Sequence, residues 1–176
     1  MIEPVILRSL PHTGTLFVQS LLHRMIGLDK HLHVSVDFNG WRPLKSQKMV
    51  IPLRDPCLSY ISHLNRENER PQLELHSRIA EYRDDPMVHF FPVDGPVGER
   101  QAELFELAAF VGAEPPETGW QPVNATPDHT GIKARYLAGD YADVQPVIDY
   151  VTSHPDVMDL YAMHGYELPW MQGVAA

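Results

Sequence analysis

The sequence predicts an α/β protein whose mainly parallel sheet of about four to five strands is flanked by helices. Three observations carry this. Short runs rich in aliphatic and β-branched residues recur along the chain: "PVILRSL", "LHVSVDF", "KMVIPL" and "MVHFFPV". Stretches with apolar residues at helical spacing stand between them. One run, "KMVIPL", is apolar nearly throughout, as expected of a strand buried on both faces of a parallel sheet.

Taken in order, "PVILRSL" predicts a strand at residues 4 to 9. The apolar run then breaks at Pro11, and Val18, Leu21, Leu22 and Met25 recur at i, i+3, i+4 and i+7, so a helix over 14 to 27 closes at Gly27. "LHVSVDF" (32 to 38) alternates cleanly as a second strand, and "KMVIPL" (48 to 53) is the third. "RDPCLSYISHL" opens a helix, because Asp55 can cap it and Pro56 takes the first position, where a missing N–H costs nothing. The charged stretch beyond Asn65 predicts a solvated helix over 71 to 83. "MVHFFPV" (87 to 93) is the fourth strand, and "GERQAELFELAAFVG" a helix with Leu104, Leu107, Ala108 and Val111 on one face. Residues 113 to 130 are Pro-rich and aperiodic, a connector long enough to suggest a functional lid or partial disorder. Helices over 141 to 153 and 155 to 164 finish the chain, and there are no internal repeats.

The 176 residues, 44% hydrophobic and 21% charged, suit one compact domain over 1–176 with a real core. No apolar run approaches a membrane span, and a first strand at Pro4 leaves no room for a signal peptide, so a cytoplasmic location is expected. Cys57 is the single cysteine, which excludes an internal disulfide and a cysteine-based zinc site. The net charge of -9 argues against general nucleic-acid binding. The charge is uneven, however: residues 1 to 66 hold eight Lys/Arg against four acids, a balance of +4, and the remainder stands at -13. An anionic ligand is therefore expected at the basic half.

The break "LPHTGTLF" lies where a strand hands over to a helix, and backbone N–H groups of a first helical turn favour phosphate or sulfate. Gly14 permits close approach, the hydroxyls of Thr13 and Thr15 are donors, and His12 is a titratable cation. The loop lacks the GK[ST] ending of a nucleoside-triphosphate loop. An ordinary strand-to-helix turn whose Gly and Thr cap a helix is the bland alternative.

Two stretches together point further. "LPHTGTLFVQSLL" resembles the 5'-phosphosulfate loop of the P-loop sulfotransferases, P-[KR]-[ST]-G-[TS]-[TS]-[WF]-L, and "IPLRDPCLSYISH" resembles their second signature, R-[DN]-P with a serine eight residues after the arginine. Weaker echoes follow in "LFELAAFVGAEPP" and "DLYAMHGYEL", so the resemblance spans most of the chain. It implies a P-loop-type three-layer sandwich and 3'-phosphoadenosine 5'-phosphosulfate (PAPS) as sulfuryl donor. It places Pro11, His12, Thr13, Gly14, Thr15, Leu16 and Phe17 around the 5'-phosphosulfate, with His12 in the place of the cation on the transferred group and Phe17 in that of an aromatic beside adenine. Arg54 and Ser62 would take the 3'-phosphate, and "TGIKARY", with Lys133 and Arg135, is a loose counterpart of a basic segment closing over it. The bottom-up reading agrees for Arg54, an always-charged fork of donors at a strand end, and Ser59 and Ser62 share a helical face. Two departures stand out: Leu16 replaces a second hydroxyl, and His12 replaces a permanent cation with one of free pKa about 6.5.

Sulfuryl transfer in that family uses a general base at the end of the second strand. In "HLHVSVDFN" the residues His31, His33, Ser35 and Asp37 share a face, with Asp37 at the carboxyl end as first candidate and His33 as second. His31 and His33 would otherwise be metal ligands, but no third ligand stands at a recognisable spacing, so no metal is expected. A non-catalytic nucleotide-binding module of the same fold and a small-molecule kinase are the alternatives. The acceptor, a small molecule or carbohydrate, would meet loops 38 to 47 and 113 to 130, where Trp41 and Trp120 could stack or simply pack.

Overall fold

The computed structural model describes residues 4–11, 13–27, 31–34, 47–66, 72–94, 97–116 and 128–170. They fall into two compact units, one of Met1–Arg54 with Asp84–Asn124 and one of Asp55–Arg83 with Ala125–Ala176.

The first unit is an α/β layer. Among the described residues it holds four parallel strands, β1 (Val5–Arg8), β2 (His31–Val34), β3 (Met49–Leu53) and β4 (Val88–Pro92), in the order β2-β1-β3-β4. Helix α1 (Thr15–Ile26) carries the chain from β1 to β2, the crossover that parallel neighbours require. The chain then passes β1 to begin β3 on its other side, so the order reverses between β1 and β3. In such sheets a crevice opens at the carboxyl ends of the two strands flanking the reversal.

Side-chain alternation sets the faces of this sheet. Val5 and Leu7 of β1, Val50 of β3 and Phe91 of β4 join Val18, Leu21 and Leu22 of α1 in one buried cluster. Leu104, Leu107 and Val111 of α4 (Val97–Val111) complete it. Each fully buried side chain of this size contributes about 1.5–3 kcal/mol of transfer free energy, which explains why α1 and α4 form where their apolar residues recur. Ile6, Met49, Ile51 and Leu53 alternate out of that cluster and are buried as well, so β1 and β3 need apolar residues at nearly every position. At the amino end of β3, Lys48 Nζ donates to the Phe110 carbonyl at 2.6 Å and lies over its ring. One cation of the basic half thus caps the carboxyl end of α4.

The second unit is helical. Helix α2 (Pro56–Leu64) packs with α5 (Ile132–Leu137) and α6 (Gln145–Ser153), and α3 (Glu74–Ala80) with α7 (Pro155–Met163). A 3₁₀ turn at Ala142–Val144 leads into α6. Two expectations change here. The helix expected over 71 to 83 is confined to Glu74–Ala80, followed by turns that end at the Asp85 carboxylate, which accepts from Met87 N. The segment expected to be aperiodic up to Thr130 is followed by α5, which carries "IKARYL" and was not foreseen. No helix of the described residues is long and apolar enough to cross a membrane.

Candidate functional site

The carboxyl ends of β1 and β3 carry the two stretches singled out in the sequence. After β1 the chain runs through Ser9, Leu10 and Pro11 to Gly14, which adopts φ 83°, a left-handed conformation that glycine tolerates and other residues resist. Val18 N donates to Gly14 O at 3.1 Å and starts α1. Because the cap residue is glycine, no side chain at that position closes the first turn of α1, whose N–H groups lack intrahelical acceptors. A Cβ on Gly14 would stand 3.1 Å from Val93 Cγ1. Conformation and space therefore both select glycine.

The loop residues divide by what they do. The Thr13 hydroxyl, expected among the phosphate donors, instead donates to Leu10 O at 2.8 Å, and Thr13 is fully buried. Its proton closes the loop on itself, and the Thr15 side chain is partly exposed. Leu16 is 68% exposed, an apolar side chain presented at the first turn of α1. Phe17, expected beside an adenine, is instead a core residue, 7% exposed with its ring 6.3 Å from that of Phe91. Burying that ring against α4 and β4 is worth more than leaving it at the edge.

Arg54 follows β3 directly. Its Nε lies 3.4 Å from Asp94 Oδ1, and the two side chains retain 22% and 26% of their exposure. Asp94 comes from the carboxyl end of β4, where Val93 N still donates to Leu53 O at 2.8 Å and extends the ladder past Pro92. A third strand end therefore joins the edge, with Val93 behind Gly14 and Asp94 on Arg54. Arg8, the last residue of β1, adds a buried cation at 1% exposure. Arg8, Val93 and Asp94 received no role from the sequence, because the strand order that brings them to one edge is not a local property.

The second unit holds Ser62, Lys133 and Arg135. Ser59 and Ser62 lie on α2 and are buried, at 3% and 4%. Asp55 caps that helix as the sequence predicts: its Oδ1 accepts from Cys57 N at 2.7 Å and Leu58 N at 3.2 Å. Its other oxygen accepts from Tyr136 Oη at 2.8 Å, which ties α5 to the start of α2. Burial, reinforced by the Asp55 charge, pushes the Cys57 thiol and the Tyr136 phenol well above their usual ranges. Cys57 is a fully buried packing residue, and Tyr136 donates to Asp55. Arg135 closes a fork on Asp143, with Nη2 at 2.6 Å and Nε at 2.9 Å. The N–H groups of Lys133 and Ala134 donate to Asp128. Desolvation acts the other way, but these bonds hold the Asp128 carboxyl below its usual range.

His12 and Asp37 lie outside the described residues, as do the acceptor-loop candidates Trp41 and Trp120. His33 is described only by its place on β2, opposite Leu7 of β1. Among the described residues no three His, Cys, Asp or Glu side chains form a group that could hold a metal ion. Within the first unit, then, Pro11, Thr13, Gly14, Thr15, Leu16 and Arg54 lie at the ends of adjacent strands, with Arg8 and Asp94. No protein-family profile, no curated protein and no solved structure matches the chain.

Proposed function

We propose that the protein is a sulfotransferase moving a sulfuryl group from PAPS to a hydroxyl or amine of a small-molecule or carbohydrate acceptor in the cytoplasm. The sheet is read as the core of a P-loop-type three-layer sandwich. One observation carries the proposal: the glycine loop before α1 and Arg54 leave adjacent parallel strands at the reversal of strand order, where such sheets bind ligands. The loop offers backbone N–H groups and the positive end of a helix dipole to the 5'-phosphosulfate, while Arg54 answers the 3'-phosphate.

In this scheme the acceptor is deprotonated by Asp37 or His33, the acceptor oxygen or nitrogen attacks sulfur, and the bond from sulfur to the bridging phosphate oxygen breaks. Cations at the loop, His12 first, stabilise the charge that develops on the departing phosphate. Removing general-base function is expected to cost on the order of 10²- to 10⁴-fold in rate, so full activity in Asp37→Asn would overturn that assignment.

The reading is tested by calorimetric titration with 3',5'-adenosine bisphosphate against ATP with magnesium. Preferential binding of the bisphosphate is expected, and no binding at millimolar concentration sinks the proposal. Preference for ATP with magnesium would favour the small-molecule kinase. A second reading, a nucleotide-binding module without chemistry, is favoured by the loop itself: the Thr13 hydroxyl is spent on Leu10 and Leu16 supplies none. Release of the bisphosphate from PAPS over many turnovers excludes it.

A further inference from the structure

We infer that Asp94 is a built-in counter-ion of Arg54, a placeholder that an incoming phosphate must displace and that sets how tightly the strand edge holds anions. The inference rests on the anion-site reading of that edge, and three observations support it.

The first is geometry. Charge-assisted N–H···O bonds run about 2.7–2.9 Å, and Arg135 holds Asp143 at 2.9 and 2.6 Å. The contact of Arg54 Nε with Asp94 Oδ1 is longer, at 3.4 Å, and pairs the two charges directly. The second is burial. Both side chains are about three-quarters hidden, and a half-desolvated cation needs a nearby anion to offset the loss of water. The third is placement. Asp94 cannot follow Arg54 if the arginine turns to a ligand, because the ladder bond from Val93 N to Leu53 O fixes its backbone beside β3. Val93 also backs Gly14, so this two-residue segment touches both anion-binding elements.

A phosphate at this edge therefore gains Arg54 but meets a fixed negative charge. Weakly charged anions fail to displace it, and a ligand with two phosphates succeeds by adding the glycine loop as a second anchor. Asp94 is in this sense a specificity-determining residue.

The test is calorimetric titration of wild type, Asp94→Asn and Arg54→Gln with two separate probes, 3',5'-adenosine bisphosphate and inorganic pyrophosphate, alongside thermal melts. Asp94→Asn is expected to bind both probes about tenfold more tightly, equivalent to about 1.4 kcal/mol, and Arg54→Gln to lose most of the affinity. Unchanged or weaker binding by a folded Asp94→Asn protein overturns the inference and leaves the donor reading standing. If pyrophosphate binds and Asp94→Asn tightens it while the bisphosphate does not bind wild type, the donor reading fails and the counter-ion role stands. Failure of both probes on wild type and variant overturns both. Should Asp94→Asn fail to fold, Asp94→Ser is read by the same criteria.

Discussion

Two helices begin just after a strand of the same sheet, and their first turns are built in opposite ways. Helix α1 starts at a glycine in the left-handed region with no side chain to close the turn. Helix α2 starts at Asp55, whose carboxylate takes two backbone N–H groups and the Tyr136 hydroxyl. Helix α5 repeats the second solution, with Asp128 accepting from Lys133 N and Ala134 N. The helix dipole favours negative charge at each of these starts. In the second unit the chain supplies that charge itself, whereas the glycine that caps α1 supplies none. The start of α2 is already occupied by its own anion.

The most disruptive way to break this contrast is to empty the filled start. Asp55→Ala removes a cap worth about 0.5–2 kcal/mol and strands a buried tyrosine hydroxyl at a further cost of about 1–3 kcal/mol. A loss of about 3 kcal/mol in urea denaturation is expected. Asp55→Asn, which still caps, should lose clearly less. Equal stability of Asp55→Ala and wild type would show that the Tyr136 link carries no weight.

Acid tests the same unit through its histidines. His76 Nδ1 lies 2.7 Å from Tyr161 Oη, and burial, with the nearby His63, lowers the imidazole pKa to about 4. His164 is lowered by burial as well. The unfolded chain takes up a proton near pH 6.5 and the folded one only near 4, so stability is fully present above 6.5, falls as pH drops through that window, and is lost by its lower end. At about 1.4 kcal/mol per pH unit, the His76 contribution at pH 5 amounts to a loss of about 2 kcal/mol. His76→Gln should flatten the acid limb of a stability-versus-pH curve between pH 6.5 and 4, leaving the smaller His164 component. An unchanged slope would mean that His76 is protonated in the folded state.

Gly14→Ala probes the open start. A non-glycine residue in the left-handed region costs about 1–2 kcal/mol, and the new Cβ would meet Val93 Cγ1 at 3.1 Å. The double variant Gly14→Ala with Val93→Ala helps separate the two causes: it removes the Cγ1 and Cγ2 contacts while the Val93 Cβ stays at 3.3 Å, so it should ease the crowding and leave the conformational cost. If Gly14→Ala alone is neutral in a thermal melt, the loop holds no left-handed requirement.

What could be read from the sequence follows the range of the interactions. The strands β1 and β3, helix α1 with its end at Gly27, and the Asp55-Pro56 start of α2 depend on residues within a few positions, and they stand where periodicity and capping place them. Helix α5 was missed because six residues give no periodicity, and what fixes them is distant in sequence: Asp55 holds Tyr136, and Asn65 holds the Thr130 that precedes the helix. The same reasoning explains the site. Gly14 and Arg54 stand out by local chemistry, whereas Val93 and Asp94 come beside them only through the register of β3 with β4. Phe17 and the Thr13 hydroxyl show the limit of a motif, since a motif position says which residue is present but not that the core holds Phe17 or that the loop binds the Thr13 hydroxyl.

The smallest effect is the most informative about α1. Leu16 is exposed at the first turn, so Leu16→Thr removes little packing, and its stability change should lie within about 0.5 kcal/mol, the range of surface substitutions. The new hydroxyl adds one donor at a helix start that has no side-chain cap. A neutral hydrogen bond nets about 0.5–1.5 kcal/mol, and one to a charged group more, so affinity for 3',5'-adenosine bisphosphate should rise severalfold while the melting temperature barely moves. Asp94→Asn acts at the neighbouring strand end by removing a repulsion, and Leu16→Thr acts by adding an attraction. If both edges serve one bound anion, the two gains are coupled and the double variant departs from additivity. Strict additivity would instead place two separate anions at the two edges. No gain from Leu16→Thr would mean that the first turn of α1, although open, does not face the phosphate.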